Sequence, residues 1–84
     1  MTDIEIYAEL TRILRSVFGR ADLVATPELT ANDVIGWDSF RHVEIVLQVE
    51  ESFAIKLRLR EQSDLQTLAD LAALIKGKLQ AKAP

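Results

Sequence analysis

Apolar residues near the start of the chain recur at three- and four-residue steps: Ile6, Tyr7, Leu10, Ile13, Leu14, Val17 and Phe18. That spacing lays one stripe along a helix, and Thr2 followed by Glu5 reads as the capping box that opens it. The helix is expected to end near Gly19. From Arg20 to Trp37 the periodicity fails, and Pro27, Thr30, Asn32, Asp33 and Gly36 supply turn chemistry. The result is a loop longer than the common connection of about 4–6 residues. Leu23, Val24, Leu29, Val34 and Ile35 give it apolar residues with which to fasten itself down, so an ordered loop is expected.

Asp38 is placed to cap a second helix running to about Ser52 or Phe53. Its carboxylate can accept first-turn amide hydrogens and suits the positive helix end. Ser39 then falls at the first helical position. The segment Arg58 to Asp64 is short and polar, enough for one helical turn. A second capping box from Thr67 to Asp70 opens a last helix carrying Leu68, Leu71, Ala72, Ile75 and Leu79. Residues Gln80 to Pro84 are expected to fray. With no internal repeat, low-complexity tract or linker, the pattern predicts one all-α domain over residues 1–84: three main helices, one short helix, and a long loop between the first and second helices.

The second helix carries more apolar surface than one core needs. At about 100° per residue, Ile45, Val49 and Phe53 form a seam flanked by Val43 and Val46. Phe40, Val43 and Leu47 form another stripe, displaced from the seam and starting beside Ser39. A helix in a small bundle usually buries one face. Either the long loop covers this second stripe, or it stays exposed as a docking surface or lines a pocket for an apolar cargo.

Composition narrows the functions available. A chain of 84 residues has no room for a deep catalytic cleft, since a domain of this size buries only about 60–65% of its unfolded surface. The absence of cysteine excludes a disulfide framework, a thiolate metal site and a cysteine nucleophile, and fits a cytosolic setting. Asp3, Glu5 and Glu9 make the amino terminus unlike a secretory or transit signal. No apolar run approaches the roughly 20 residues of a membrane span. Net charge is −3 and the basic residues are scattered, which does not suggest a nucleic-acid footprint. Proteins are the expected partners.

An Asp-Ser pair at a helix start is ordinary capping chemistry. As a hydrolytic nucleophile Ser39 would need a base and an orienting acid. The single histidine, His42, lies one turn on without an evident partner and is expected as a solvated residue. No Gly-x-Ser-x-Gly elbow is present. What Ser39 offers is a hydroxyl at a helix tip, accessible to another enzyme and suited to a phosphodiester, whose negative charge the helix start favours.

The run Gly36-Trp37-Asp38-Ser39-Phe40-Arg41-His42-Val43-Glu44-Ile45-Val46-Leu47 and onward through Glu50-Glu51-Ser52-Phe53 resembles the phosphopantetheine attachment region of the acyl carrier protein family. In that family Gly-x-Asp-Ser-Leu opens a helix ending in a Glu-Glu-x-Phe-like stretch. The match is ungapped from Gly36 to Phe53, and the remaining helices and loop agree at lower specificity. The resemblance implies an acyl-carrier-like bundle bearing a covalent 4′-phosphopantetheine arm on Ser39, with Asp38 as the acidic neighbour. A phosphopantetheinyl transferase would install the arm from coenzyme A, with any Mg²⁺ belonging to the transferase. The carrier, itself no enzyme, would hold an acyl thioester and pass it as a cytoplasmic monomer between a loading ligase or acyltransferase and downstream enzymes. Phe40, Val43, Glu44 and Leu47 fall where the family recognises partners, whereas Ile45, Val49 and Phe53 fall on core positions.

Departures from the family pattern refine this expectation. Phe40 stands where Leu is commoner, Arg41 and His42 occupy a usually acidic helix start, and Lys56, Arg58 and Arg60 alternate with Leu57 and Leu59 in a usually acidic segment. Charge sets partner choice and encounter rate, so these residues suggest a specialised carrier rather than the general carrier of fatty acid synthesis. An aminoacyl or peptidyl carrier and an unmodified helical interaction domain are the alternative readings. Trp37 is expected to pack the loop onto the core, and Glu50 and Glu51 to be solvated helix residues with little role.

Overall fold

In the computed structural model, which describes residues 1–82, the capping box at Thr2 closes as expected. Thr2 Oγ1 accepts the Glu5 N–H at 3.2 Å, and the Glu5 carboxylate accepts the Thr2 N–H at 2.8 Å. Helix α1, Asp3–Phe18, follows from it and stops at Gly19, whose φ of 63° is the left-handed conformation that glycine adopts without steric cost. The predicted stripe is the buried one: Ile6, Leu10, Ile13, Leu14 and Val17 are in the core, with Tyr7 and Phe18 packed at its edge.

Helices α2 (Ser39–Phe53), α3 (Leu59–Ser63) and α4 (Leu68–Lys82) complete the bundle, and α2 and α4 both pack on α1. All regular structure among the described residues is helical. Ile45, Val49 and Phe53 of α2 meet Leu68, Leu71, Ala72 and Ile75 of α4 in one core cluster with the α1 stripe. Helix α4 runs through Gln80 and Ala81 to Lys82, within the segment expected to fray, and the rest of that segment, 83–84, lies outside the described residues. Between α2 and α3 the chain is extended, with Ile55 and Leu57 buried and Lys56 and Arg58 exposed. The alternation read in the sequence is thus the period of two of extended backbone.

The long loop is fastened by polar and apolar ties together. Ala25 N–H donates to Thr11 Oγ1 at 2.9 Å, and Arg15 Nε donates to the Leu23 carbonyl at 2.7 Å. Leu68 N–H donates to the Leu29 carbonyl and Ala69 N–H to the Pro27 carbonyl, both at 2.9 Å. A short 3₁₀ turn, Ala31–Asp33, starts where the Asp33 carboxylate accepts the Thr30 N–H at 2.9 Å. Leu23 and Val34 are buried and Leu29 half-buried, as expected. Val24 and Ile35 are not: both are exposed. They follow Leu23 and Val34 directly, and in extended backbone the neighbour of an inward residue points outward.

Candidate functional site

The capping chemistry read from Asp38 is formed. Its Oδ1 accepts the Arg41 N–H at 2.9 Å and its carbonyl accepts the His42 N–H at 2.9 Å. These bonds start α2 one residue later, with Ser39 first in the helix and exposed. The amides of Ser39 and Phe40 carry no hydrogen bond among the described residues. A free hydroxyl, two uncommitted amides and the positive end of a 15-residue helix therefore converge. That arrangement suits a phosphodiester attached at Ser39 Oγ, because orphan amides and the helix dipole both favour an anion.

Beside the serine lies the second apolar stripe, and the loop does not cover it. Phe40 is 67% exposed, Val43 54% and Leu47 58%, whereas the seam residues Ile45, Val49 and Phe53 on the same helix are buried. Glu44 is half-buried on this face, with Arg41 Nη1 3.4 Å from its carboxylate. The Arg41 guanidinium also sits 5.9 Å from the Phe40 ring centroid, within cation–π range. The first turn of α2 contains no acidic residue. Its exposed surface is therefore an aromatic ring and a cation, followed by aliphatic residues and one carboxylate.

Three side chains near the site have roles that the pattern did not show or showed only in part. Trp37 packs the loop as expected, its ring centroid 5.6 Å from that of Phe18. Its Nε1–H also donates to His42 Nδ1 at 3.4 Å. His42 is consequently half-buried rather than solvated, and with Nδ1 accepting, the hydrogen-bond partners assign its ring proton to Nε2. Glu50 is likewise no idle surface residue: its carboxylate accepts the Leu57 N–H at 2.8 Å, half-buried under the turn that follows α2. Glu51 is exposed, as expected. No sequence signal marks Glu50, whose partner lies seven residues away across a left-handed turn at Ala54, φ 54°.

No helix among the described residues is long and apolar enough to cross a membrane. Among the described residues, the one imidazole has its acceptor nitrogen engaged by Trp37, and the Asp38 carboxylate is engaged by the Arg41 N–H. What the geometry provides is an exposed serine hydroxyl at a helix start, next to an open apolar face.

The family described as a phosphopantetheine attachment site matches residues 8–75. The meromycolate extension acyl carrier protein of Mycolicibacterium smegmatis is 34% identical over 83 residues, covering 99% of this chain and 83% of that protein. An acyl carrier protein of Rhodococcus erythropolis is 33% identical over 81 residues, covering 96% and 88% respectively. Among solved structures, the solution NMR structure of a holo acyl carrier protein from Geobacter metallireducens superimposes with a TM-score of 0.86 at 38% identity, covering 92% of this chain and 88% of that one.

Proposed function

Because the chain belongs to the acyl carrier protein family, we propose that Ser39 bears its 4′-phosphopantetheine arm and that Phe40, Val43, Glu44 and Leu47 form the surface that partner enzymes recognise. The family carries acyl groups on that covalent prosthetic group and is not itself catalytic; its partners include a phosphopantetheinyl transferase and biosynthetic enzymes. When attached, the arm supplies a terminal thiol that holds the acyl group as a thioester. The residues of this chain do the rest. Asp38 fixes the first turn of α2 and holds Ser39 outward, and the unbonded amides of Ser39 and Phe40 face no competing acceptor for a phosphodiester.

The observation that carries this reading is the exposed Ser39 at the open start of α2, directly beside an apolar stripe that the fold leaves unburied. The Phe40–Arg41 start of the helix, without an acidic residue in its first turn, supports partners other than those of general fatty acid synthesis. The meromycolate relative supports a specialised lipid pathway. A loading ligase or acyltransferase would supply the acyl group. We read residues 1–84 as one carrier domain acting as a cytoplasmic monomer, a setting that the lack of cysteine fits.

Incubation with coenzyme A and a broad-specificity phosphopantetheinyl transferase, followed by intact mass measurement, tests the attachment. The wild-type chain is expected to gain one phosphopantetheinyl group and Ser39→Ala none. An unmodified wild type, or a labelled Ser39→Ala, would overturn the assignment.

A further inference from the structure

The turn that leads the long loop into the α2 cap is closed by Trp37 N–H donating to the Val34 carbonyl at 3.3 Å. Gly36 stands third in that turn with φ 92°, and Ile35, second, has no positive φ. This is the type II pattern, which calls for glycine at the third position and makes no demand for an apolar residue at the second. Val34 is buried and Trp37 half-buried, so both ends of the turn are held to the core while its corner faces outward. Ile35 at that corner is 90% exposed, more than any other large apolar side chain among the described residues, and it lies outside the core cluster and its margin. It precedes Ser39 by four positions, which is at most about 14 Å of chain. An enzyme acting on the Ser39 hydroxyl has to surround it, and a specific partner commonly covers about 800 Å², a disc of about 16 Å radius. Ile35 falls inside such a footprint from the loop, as Phe40 does from the helix. Exposed apolar surface therefore stands on both sides of the hydroxyl in the chain, and the glycine turn is what holds one half of it out.

We propose that Ile35 is a docking contact for the phosphopantetheinyl transferase, seated in an apolar depression of that enzyme while Phe40 is gripped on the other side of Ser39. The surface that the transferase recognises then extends from α2 onto the turn at residues 34–37, and Ile35 acts on binding rather than on the transfer step. This rests on the carrier reading above.

Steady-state transfer from coenzyme A by a broad-specificity transferase, with the carrier as the varied substrate, tests the contact. Ile35→Thr keeps the branched β-carbon and removes apolar surface, so the turn is left as it is. Its KM for the carrier is expected to rise about three- to tenfold, the loss that a partly buried aliphatic contact implies, with kcat within about twofold of wild type. Ile35→Leu, which keeps the apolar volume, is expected to restore the wild-type KM. Ile4 is the control: it is 82% exposed and lies about 21 Å along α1 from Phe18, the residue that packs on Trp37. Ile4→Thr is expected to leave both constants unchanged. A wild-type KM in Ile35→Thr, a loss confined to kcat, an equal rise in Ile4→Thr, or a rise that Ile35→Leu does not reverse overturns the docking contact and leaves the carrier reading intact. Failure of the wild-type chain to gain any mass at Ser39 overturns the carrier reading and the contact with it.

Discussion

The carboxylate of Glu50 holds the Leu57 N–H while the Glu50 carbonyl accepts from Ala54 and Ile55, so one residue closes the turn that returns the chain from α2. Glu50→Ala leaves a half-buried amide without its acceptor, and a loss of about 1–3 kcal/mol is expected. Glu50→Gln keeps an acceptor oxygen and should lose less, which urea unfolding monitored by circular dichroism would resolve. Asp38 and Glu50 are both carboxylates that accept backbone amides, yet only Asp38 was legible in the sequence. Its bond is local, fixed by where a helix starts. The bond of Glu50 depends on Ala54 adopting a left-handed conformation more usual for glycine, and nothing in the residue type announces that. His42 was misjudged for a similar reason, because its partner, the Trp37 indole, is positioned by loop packing against Phe18 rather than by helix periodicity.

At the scale of elements, periodicity identified α1, α2 and α4 and also the surplus stripe on α2, while α3 was expected only as one turn in a short polar segment. Periodicity could not decide whether the loop covers that stripe, since covering is a matter of tertiary path. It also placed Val24 and Ile35 inward with their neighbours, because a loop without a period gives no face to count on. Helix α4 has a weakness that is simple to repair. Gly77 lies in its interior, its φ is not positive, and a β-carbon added there meets nothing within 4 Å. Gly77→Ala therefore gains helix propensity without a clash, and a stabilisation of about 0.5–1 kcal/mol is expected. Thermal unfolding of the two chains side by side checks this, with a higher Tm in the variant. The substitution lies on α4, away from the exposed face of α2, so transfer of the arm to Ser39 should proceed at an unchanged rate.

Across the whole molecule, all four helices among the described residues start on carboxylates that accept backbone amides. Glu5 at α1, Glu61 at α3 and Asp70 at α4 are each held below the ordinary carboxylate value, first of all by backbone amides: that of Thr2 for Glu5, that of Arg58 for Glu61, and those of Gln66 and Thr67 for Asp70. Asp22 is also lowered, by its hydrogen bond with Arg20. A carboxyl depressed on folding contributes its stability fully above its unfolded value, near 3.8 for Asp and 4.5 for Glu, and loses it as the pH falls through the lower folded value. The domain should accordingly unfold at lower urea concentration at pH 3 than at pH 7. Asp70→Asn, which removes one of the titrating caps, should narrow that difference; an unchanged difference would mean that the cap at α4 contributes nothing to the acid limb.

The two bonds from Leu68 and Ala69 to the carbonyls of Leu29 and Pro27 have a consequence for the order in which the fold is completed. They occupy amides that the first turn of α4 cannot satisfy from within the helix, so the acceptors for that turn come from a segment about forty positions earlier in the chain. The loop and the opening of α4 must settle in one step, and either loosens the other when it opens. The same loop ends in Trp37 and leads directly into the cap of α2. A disturbance at the start of the last helix is thereby conveyed, through backbone rather than through the core, to the residue that precedes the Asp38 cap of Ser39.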